Sequence, residues 1–163
     1  LGHQRIAAIM GGDESQARLR YMGYCDALAA HGIPLRPEYV RRGSWTWESG
    51  YDHAVALLGV APRPTAIFCA CDAMALGAAR ALHERGVAIP RDVSLLGFDD
   101  IPDAAESSPP LTTVRQQSFE MVRSTIELLR RAMDGEAIST GTRLLPTELV
   151  IRASCAPPPG VAA

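Results

Sequence analysis

The stretch Val93-Ser94-Leu95-Leu96-Gly97-Phe98-Asp99-Asp100, followed shortly by Pro109-Pro110-Leu111-Thr112-Thr113-Val114, decides how this chain is read. An apolar run of strand length stops abruptly at two carboxylates. A polar, proline-rich loop follows, and then a second short β-branched run. In an open α/β sheet, ligands bind just past the carboxyl ends of the strands. An aspartate placed there can accept hydrogen bonds from a ligand hydroxyl or amine. Asp99 is therefore the first candidate contact to a small molecule.

The pattern on the N-terminal side supports such a sheet. Arg5 to Met10 is nearly continuous in apolar residues, as expected for a strand covered on both faces. Gly11 to Ser15 breaks it and offers helix-capping oxygens, and Ala17, Tyr21, Cys25 and Leu28 then fall on one helical stripe. Gly32 and Pro34 end that helix. Arg18 and Arg20 sit in its first two turns, where a cation opposes the helix macrodipole, so another partner is expected to favour them. Glu38 to Arg42 reads as a second strand. Ser44 or Thr46 caps the next helix, whose buried face is Tyr51, Ala54, Val55 and Leu58. Ala66 to Ala70 is the third strand, and Asp72 is placed to cap a helix carrying Ala75, Ala78, Ala79 and Leu82. Strands alternating with three-turn helices imply a doubly wound parallel sheet of the α/β class with right-handed crossovers.

After Val114 the character changes. Phe119, Val122, Ile126, Leu129 and Met133 form an apolar stripe, with Glu120–Arg123 and Glu127–Arg131 as pairs beside it. Arg143 to Ile151 reads as extended around Pro146, and the proline-rich tail from 156 to 163 as disordered. The division expected is a sheet unit at 1–115, a crossing helix at 116–142, a return segment at 143–155, and the tail.

Composition narrows the function classes. The chain has 163 residues, 47% hydrophobic and 21% charged, with a formal net charge of −2. That is enough for a buried core and gives no basic footprint for nucleic acid. No apolar run approaches the roughly 18 residues of a membrane span. Leu1-Gly2-His3 reads like the interior of a longer chain. Cys25, Cys69, Cys71 and Cys155 read as free thiols of a reducing cytoplasm rather than a disulfide framework, and Cys69-x-Cys71 has no second pair to complete a zinc site. All 16 basic residues are arginine, so there is neither a Schiff-base nor a P-loop lysine. There is no G-x-G-x-x-G and no G-x-S-x-G elbow. His3, His31, His53 and His83 show no ligand spacing and read as solvated. No catalytic residue, metal site or cofactor is assigned.

What remains is a set of side chains at the carboxyl edge of the sheet: Arg20, Trp45, Cys71, Asp72 and Asp99. A flat aromatic stacks on a ring, while Arg and Asp fix hydroxyls or a charge. Trp45 reads equally as a core anchor, with Trp47 its rival as the pocket aromatic. Asp72 reads first as a helix cap, and Asp100 as a turn residue.

The residues are also recognisable as a set. Thr65-Ala66-Ile67-Phe68-Cys69-Ala70-Cys71-Asp72-Ala73-Met74-Ala75-Leu76-Gly77-Ala78, then Pro90-Arg91-Asp92-Val93, Gly97-Phe98-Asp99-Asp100, Pro109 to Gln116 and Pro146-Thr147-Glu148-Leu149-Val150 resemble the LacI/GalR family of bacterial transcriptional regulators in order and spacing. Leu1-Gly2-His3, Gly23-Tyr24 and Glu48-Ser49-Gly50-Tyr51 match as well. The resemblance implies the C-terminal part of an effector-binding core, one subdomain of a type I periplasmic-binding-protein-like fold. It implies Arg20, Trp45 and Asp99 as effector contacts, with Cys71, Asp72 and Gln16 beside them. It also implies a small-molecule effector, a homodimer, no membrane association, and operator DNA bound only through an N-terminal headpiece outside this chain. Cys71 stands where many members carry Asn, and Gln16 where Ser or Thr is frequent, so effector identity is not carried over. The helix at 118–133 would belong to the companion subdomain; without it, the helix is expected to pack on a neighbour, swap, or order poorly. The rival readings are a periplasmic solute-binding protein of the same fold and a small α/β enzyme.

Overall fold

The computed structural model describes residues 1–138 and 141–160. Its elements run β1 (Ile6–Met10), α1 (Ser15–Ala30), a 3₁₀ turn (Pro37–Tyr39), β2 (Val40–Arg42), α2 (Trp47–Leu58), β3 (Ala66–Cys69), α3 (Asp72–Glu84), β4 (Ser94–Asp99), α4 (Pro102–Glu106), β5 (Thr112–Arg115), α5 (Ser118–Met133) and β6 (Glu148–Val150). The sheet order is β2-β1-β3-β4-β5-β6. The first five strands are parallel, and β6 runs antiparallel to β5 with Thr113 opposite Val150 and Arg115 opposite Glu148. This is the doubly wound α/β sheet the pattern implied.

The helices α2 and α3 pack backbone to backbone. A Cβ on Gly50 would lie 2.0 Å from the Met74 carbonyl oxygen, and one on Gly77 would lie 2.0 Å from that of Trp47. Two side-chain-free positions thus let the layer close over β1, β3 and β4, where Ala7, Ala8, Ile9, Ile67 and Leu95 are almost wholly buried. Along the expected α1 stripe Ala17 and Leu28 are buried and Tyr21 and Cys25 pack half-buried against the core; Tyr24 is buried beside them and donates its hydroxyl proton to the Ile6 carbonyl at 2.8 Å. In α2 the buried positions are Gly50, Ala54 and Leu57.

Four local expectations change. The second strand is only Val40–Arg42, because Pro37, with its fixed φ, opens a 3₁₀ turn that buries Tyr39. The α1 N-terminus has no side-chain cap; Asp13 pairs instead with Arg42 at 2.6 Å, and Glu14 with Trp45. His3 is not solvated: it is buried between Thr65 Oγ1 at 2.9 Å and the Ala156 carbonyl at 2.8 Å. Burial holds its pKa below the ordinary value, against the Ala156 bond that raises it. The expected tail is anchored at its first residue, since the Ala156 amide also donates to Ser94 Oγ at 3.0 Å. Residues 161–163 lie outside the described residues, as do 139–140 of the link after α5. Cys25, Cys69, Cys71 and Cys155 are free. Cys69 and Cys71 are buried, while Cys25 and Cys155 are only half-buried.

The helix α5 occupies the residues its stripe predicted, and none of its side chains is buried. Phe119 is 78% and Met133 87% exposed. Glu120 and Arg123 pair at 2.7 Å as read, whereas Arg131 donates to Glu136 at 2.6 Å instead of Glu127.

Candidate ligand-binding site

The carboxyl ends of β1, β3 and β4 converge where a doubly wound sheet binds ligands. Arg20 reaches this edge from the second turn of α1. Its Nη1 donates to the Ala70 carbonyl, and its Nη2 lies 3.5 Å from Asp99 Oδ1. The guanidinium sits 3.9 Å from the centroid of the Phe98 ring and 5.3 Å from that of Trp45. A cation between two ring faces, with a carbonyl and a carboxylate at its edges, explains why an arginine is tolerated near a helix N-terminus. Arg18, its neighbour, is exposed.

Trp45 reaches the same place from the loop after β2. Its indole lies across Gly11, where a Cβ would fall 2.0 Å from the ring, and its Nε1 donates to Glu14 Oε2 at 3.1 Å. Gly11 therefore has to be glycine for the indole to lie flat on the end of β1. Trp47 is elsewhere, stacked on Tyr51 at 5.6 Å. Of the two tryptophans, Trp45 lies at this edge.

Asp99 ends β4. Its Oδ1 accepts from Gln116 Nε2 at 2.5 Å, and its side chain keeps 29% exposure. Burial pushes its carboxyl above the usual carboxylate range, against the Arg20 charge and the Gln116 bond that pull it down. Asp100 turns the other way and is no mere turn residue: it accepts from Arg115 Nε and Arg152 Nη2, each at 2.6 Å. Burial alone would raise its pKa, but those two arginines outweigh it and hold the group low. Among the described residues, only Trp45, Asp99 and Asp100 combine a side chain with a left-handed φ, of 65°, 121° and 59°. L-residues occupy that region sparingly, and such outliers cluster at functional sites.

The remaining candidates separate. Cys71 is at the cluster's edge, its thiol aimed at the Trp45 carbonyl at 3.7 Å, and burial keeps it un-ionised. Asp72, placed by the sequence among the ligand contacts, is instead enclosed in the core. It is fully buried, accepting from Thr113 Oγ1 at 2.6 Å and from the Ile101 amide at 3.0 Å, so it ties α3 to β5 and to the segment after β4. Nor does it cap α3, of which it is the first residue. Gln16 is exposed in the first turn of α1 and makes no hydrogen bond to the cluster. Reading by residue type missed Phe98, Gln116 and Glu14. Phe98 shares a strand face with Leu96 and was legible from the alternation, while Gln116 and Glu14 were reachable only through the fold. Among the described residues there is no group of three or more His, Cys, Asp or Glu placed to hold a metal ion.

The cluster offers a carboxylate, a committed guanidinium and an indole face, groups suited to recognising a small molecule. The sequence profile of the periplasmic binding protein-like domain family matches residues 1–155. The chain belongs to that family. Its relatives are LacI-type regulators, as the sequence motifs implied. The repressor CytR of Escherichia coli K12 is 40% identical over 154 residues, covering 94% of this chain and 45% of that protein. Among solved structures, the regulator CelR in complex with cellobiose superposes with a TM-score of 0.89 at 37% identity, covering 94% of this chain and 47% of that one. The lac repressor dimer bound to operator and the anti-inducer ONPF gives 0.86 at 36%, covering 95% and 54%. The chain thus spans about half the length of the regulators it matches.

Proposed function

We propose that this chain is the effector-sensing part of a LacI-type transcriptional regulator, with a sugar or related small metabolite held against Asp99, Arg20 and Trp45. The observation that carries this reading is the convergence of those three side chains at the carboxyl edge of the sheet, two of them in left-handed backbone. The complex of the similar CelR with cellobiose supports the ligand class, and the operator complex of the lac repressor supports the role. Operator contact belongs to a headpiece outside this chain, which itself carries a net charge of −2. Effector binding alters operator affinity by favouring one of two global states, and its influence is limited to its differential affinity for them. Residues 1–115 and 143–155 build one wall of the cleft. The helix within 116–142 serves the companion subdomain, which covers its apolar stripe. A cytoplasmic homodimer without catalytic activity completes the reading; similarity to regulators rather than enzymes or transporters supports it.

The test is a thermal-shift screen of the full-length regulator against neutral monosaccharides, disaccharides and nucleosides, with Asp99→Ala and Arg20→Ala as controls. A stabilising compound whose effect disappears in both variants is expected. A compound that stabilises both variants as it does the parent overturns the site.

A further inference from the structure

Asp100 is a carboxylate that the effector reading leaves without a task, yet it is firmly anchored at this edge. Its side chain is 8% exposed, with Oδ2 taking Arg115 of β5 and Oδ1 taking Arg152, two residues beyond β6. Arg115 also reaches Glu148 of β6 at 3.2 Å, and Arg152 donates to the Leu111 carbonyl at 2.8 Å. Both routes by which the chain leaves and re-enters the sheet unit therefore end on one side chain. The adjoining Asp99 and Asp100 are both left-handed and neither is glycine. Backbone of this kind persists only when its surroundings over-determine it. Gln116, next to Arg115 at the start of the outgoing route, holds Asp99 itself.

We propose that Asp100 is the positioning residue of the site: by gripping Arg115 and Arg152 it keeps Asp99 left-handed, with its carboxylate turned to Arg20 and Gln116. This deepens the effector reading and rests on it, since Asp99 is there the ligand contact. A ligand hydroxyl donated to Asp99 Oδ1 competes with the Gln116 amide, so occupancy of the site is felt at the outgoing strand.

The experiment needs no effector. The ¹³C,¹⁵N-labelled chain is followed by the Asp99 carboxyl carbon through a pH titration and by the Gln116 side-chain amide, in the parent, Asp100→Asn and Arg152→Gln. Asp99 faces Arg20 from α1, Gln116 after β5, and Cys71 and Asp72 at the start of α3. In both variants the Asp99 titration is expected to fall back toward the ordinary carboxylate range as the group swings into solvent. The Gln116 amide signal is expected to lose its bound position, while α2 and α3 resonances stay in place. If Asp99 and Gln116 signals are unchanged and only hydrogen exchange in β6 rises, Asp100 staples strands and positions nothing. Arg152→Gln carries the comparison if Asp100→Asn does not fold. The ligand screen with Asp99→Ala reads separately whether Asp99 meets an effector, so failure of one reading is distinct from failure of the other.

Discussion

The helices α3 and α5 are both amphipathic and similar in length, and they meet opposite fates. Seven residues of α3 are buried, and its backbone touches α2 through Gly77. In α5 no residue is buried, and a stripe of five large apolar side chains faces solvent. Each such side chain gains about 1.5–3 kcal/mol when removed from water. The same amphipathic pattern is thus enclosed in one helix and left in solvent in the other. Amphipathicity records that a helix has a buried side; it carries no information about what buries it.

The two aspartates at the carboxyl edge teach the same lesson on a smaller scale. Asp72 and Asp99 both follow a strand's apolar run. Asp72 is enclosed, with both oxygens taken by Thr113 and Ile101. Asp99 keeps part of its carboxylate open and lies in strained backbone. One is a structural tie, and the other keeps an open face at the edge of the sheet.

These contrasts break or sharpen under substitution. The largest effect is expected for Gly77→Leu, which forces side-chain atoms into the α2 backbone and costs about 3 kcal/mol or more by denaturant unfolding. Near-neutral stability would show that α2 and α3 are not locked as described. Asp72→Ala leaves the Thr113 hydroxyl and the Ile101 amide unpaired in the core, and a loss of about 2–3 kcal/mol is expected in the same assay. Asp99→Asn should change stability by less than about 1 kcal/mol, with any gain concentrated at neutral pH. The sign follows from its raised pKa: the folded state favours the protonated carboxyl, so stability falls as pH rises from the usual carboxylate range through the raised value. A variant that lost both stability and effector response would make Asp99 a structural residue like Asp72.

His3 gives a pH test of opposite sign. Its folded pKa is depressed by burial, so the unfolded state binds the extra proton first. Stability is full above about pH 6.5 and declines as pH falls through that value toward the depressed one. His3→Gln is expected to flatten this part of the profile, and an unchanged profile would remove His3 as its source. The smallest effect belongs to α5: Ile126→Gln in the isolated chain should alter stability by no more than about 0.5 kcal/mol. A large loss there would erase the contrast between the two helices.

Much of the site was readable before the fold was seen, because Arg20 and Asp99 occupy positions that secondary structure alone does not favour. A cation in the second turn of a helix and a carboxylate ending an apolar strand both ask for an external reason. By spacing alone Trp45 was ambiguous with Trp47, since both fall near the start of α2; the family resemblance pointed to Trp45, and the indole lying across Gly11 puts it at this edge. Asp72 was read first as a helix cap because a cap and a buried tie share the same local sequence. His3 was misread because its partners, Thr65 and Ala156, are 62 and 153 positions away.

By itself, the sequence determined the alternation of strand and helix, the parallel sheet, the span of α5, and the edge at which chemistry gathers. These follow from apolar periodicity, turn residues and the geometry of crossovers, all of which are local. Only the tertiary structure decided which carboxylate is enclosed and which is open, that the Trp45 indole lies across Gly11 while Trp47 stacks on Tyr51, and that Asp100 ties together both crossings of the chain. Those outcomes depend on side chains brought together from distant segments, where burial and hydrogen-bond satisfaction are settled jointly rather than residue by residue.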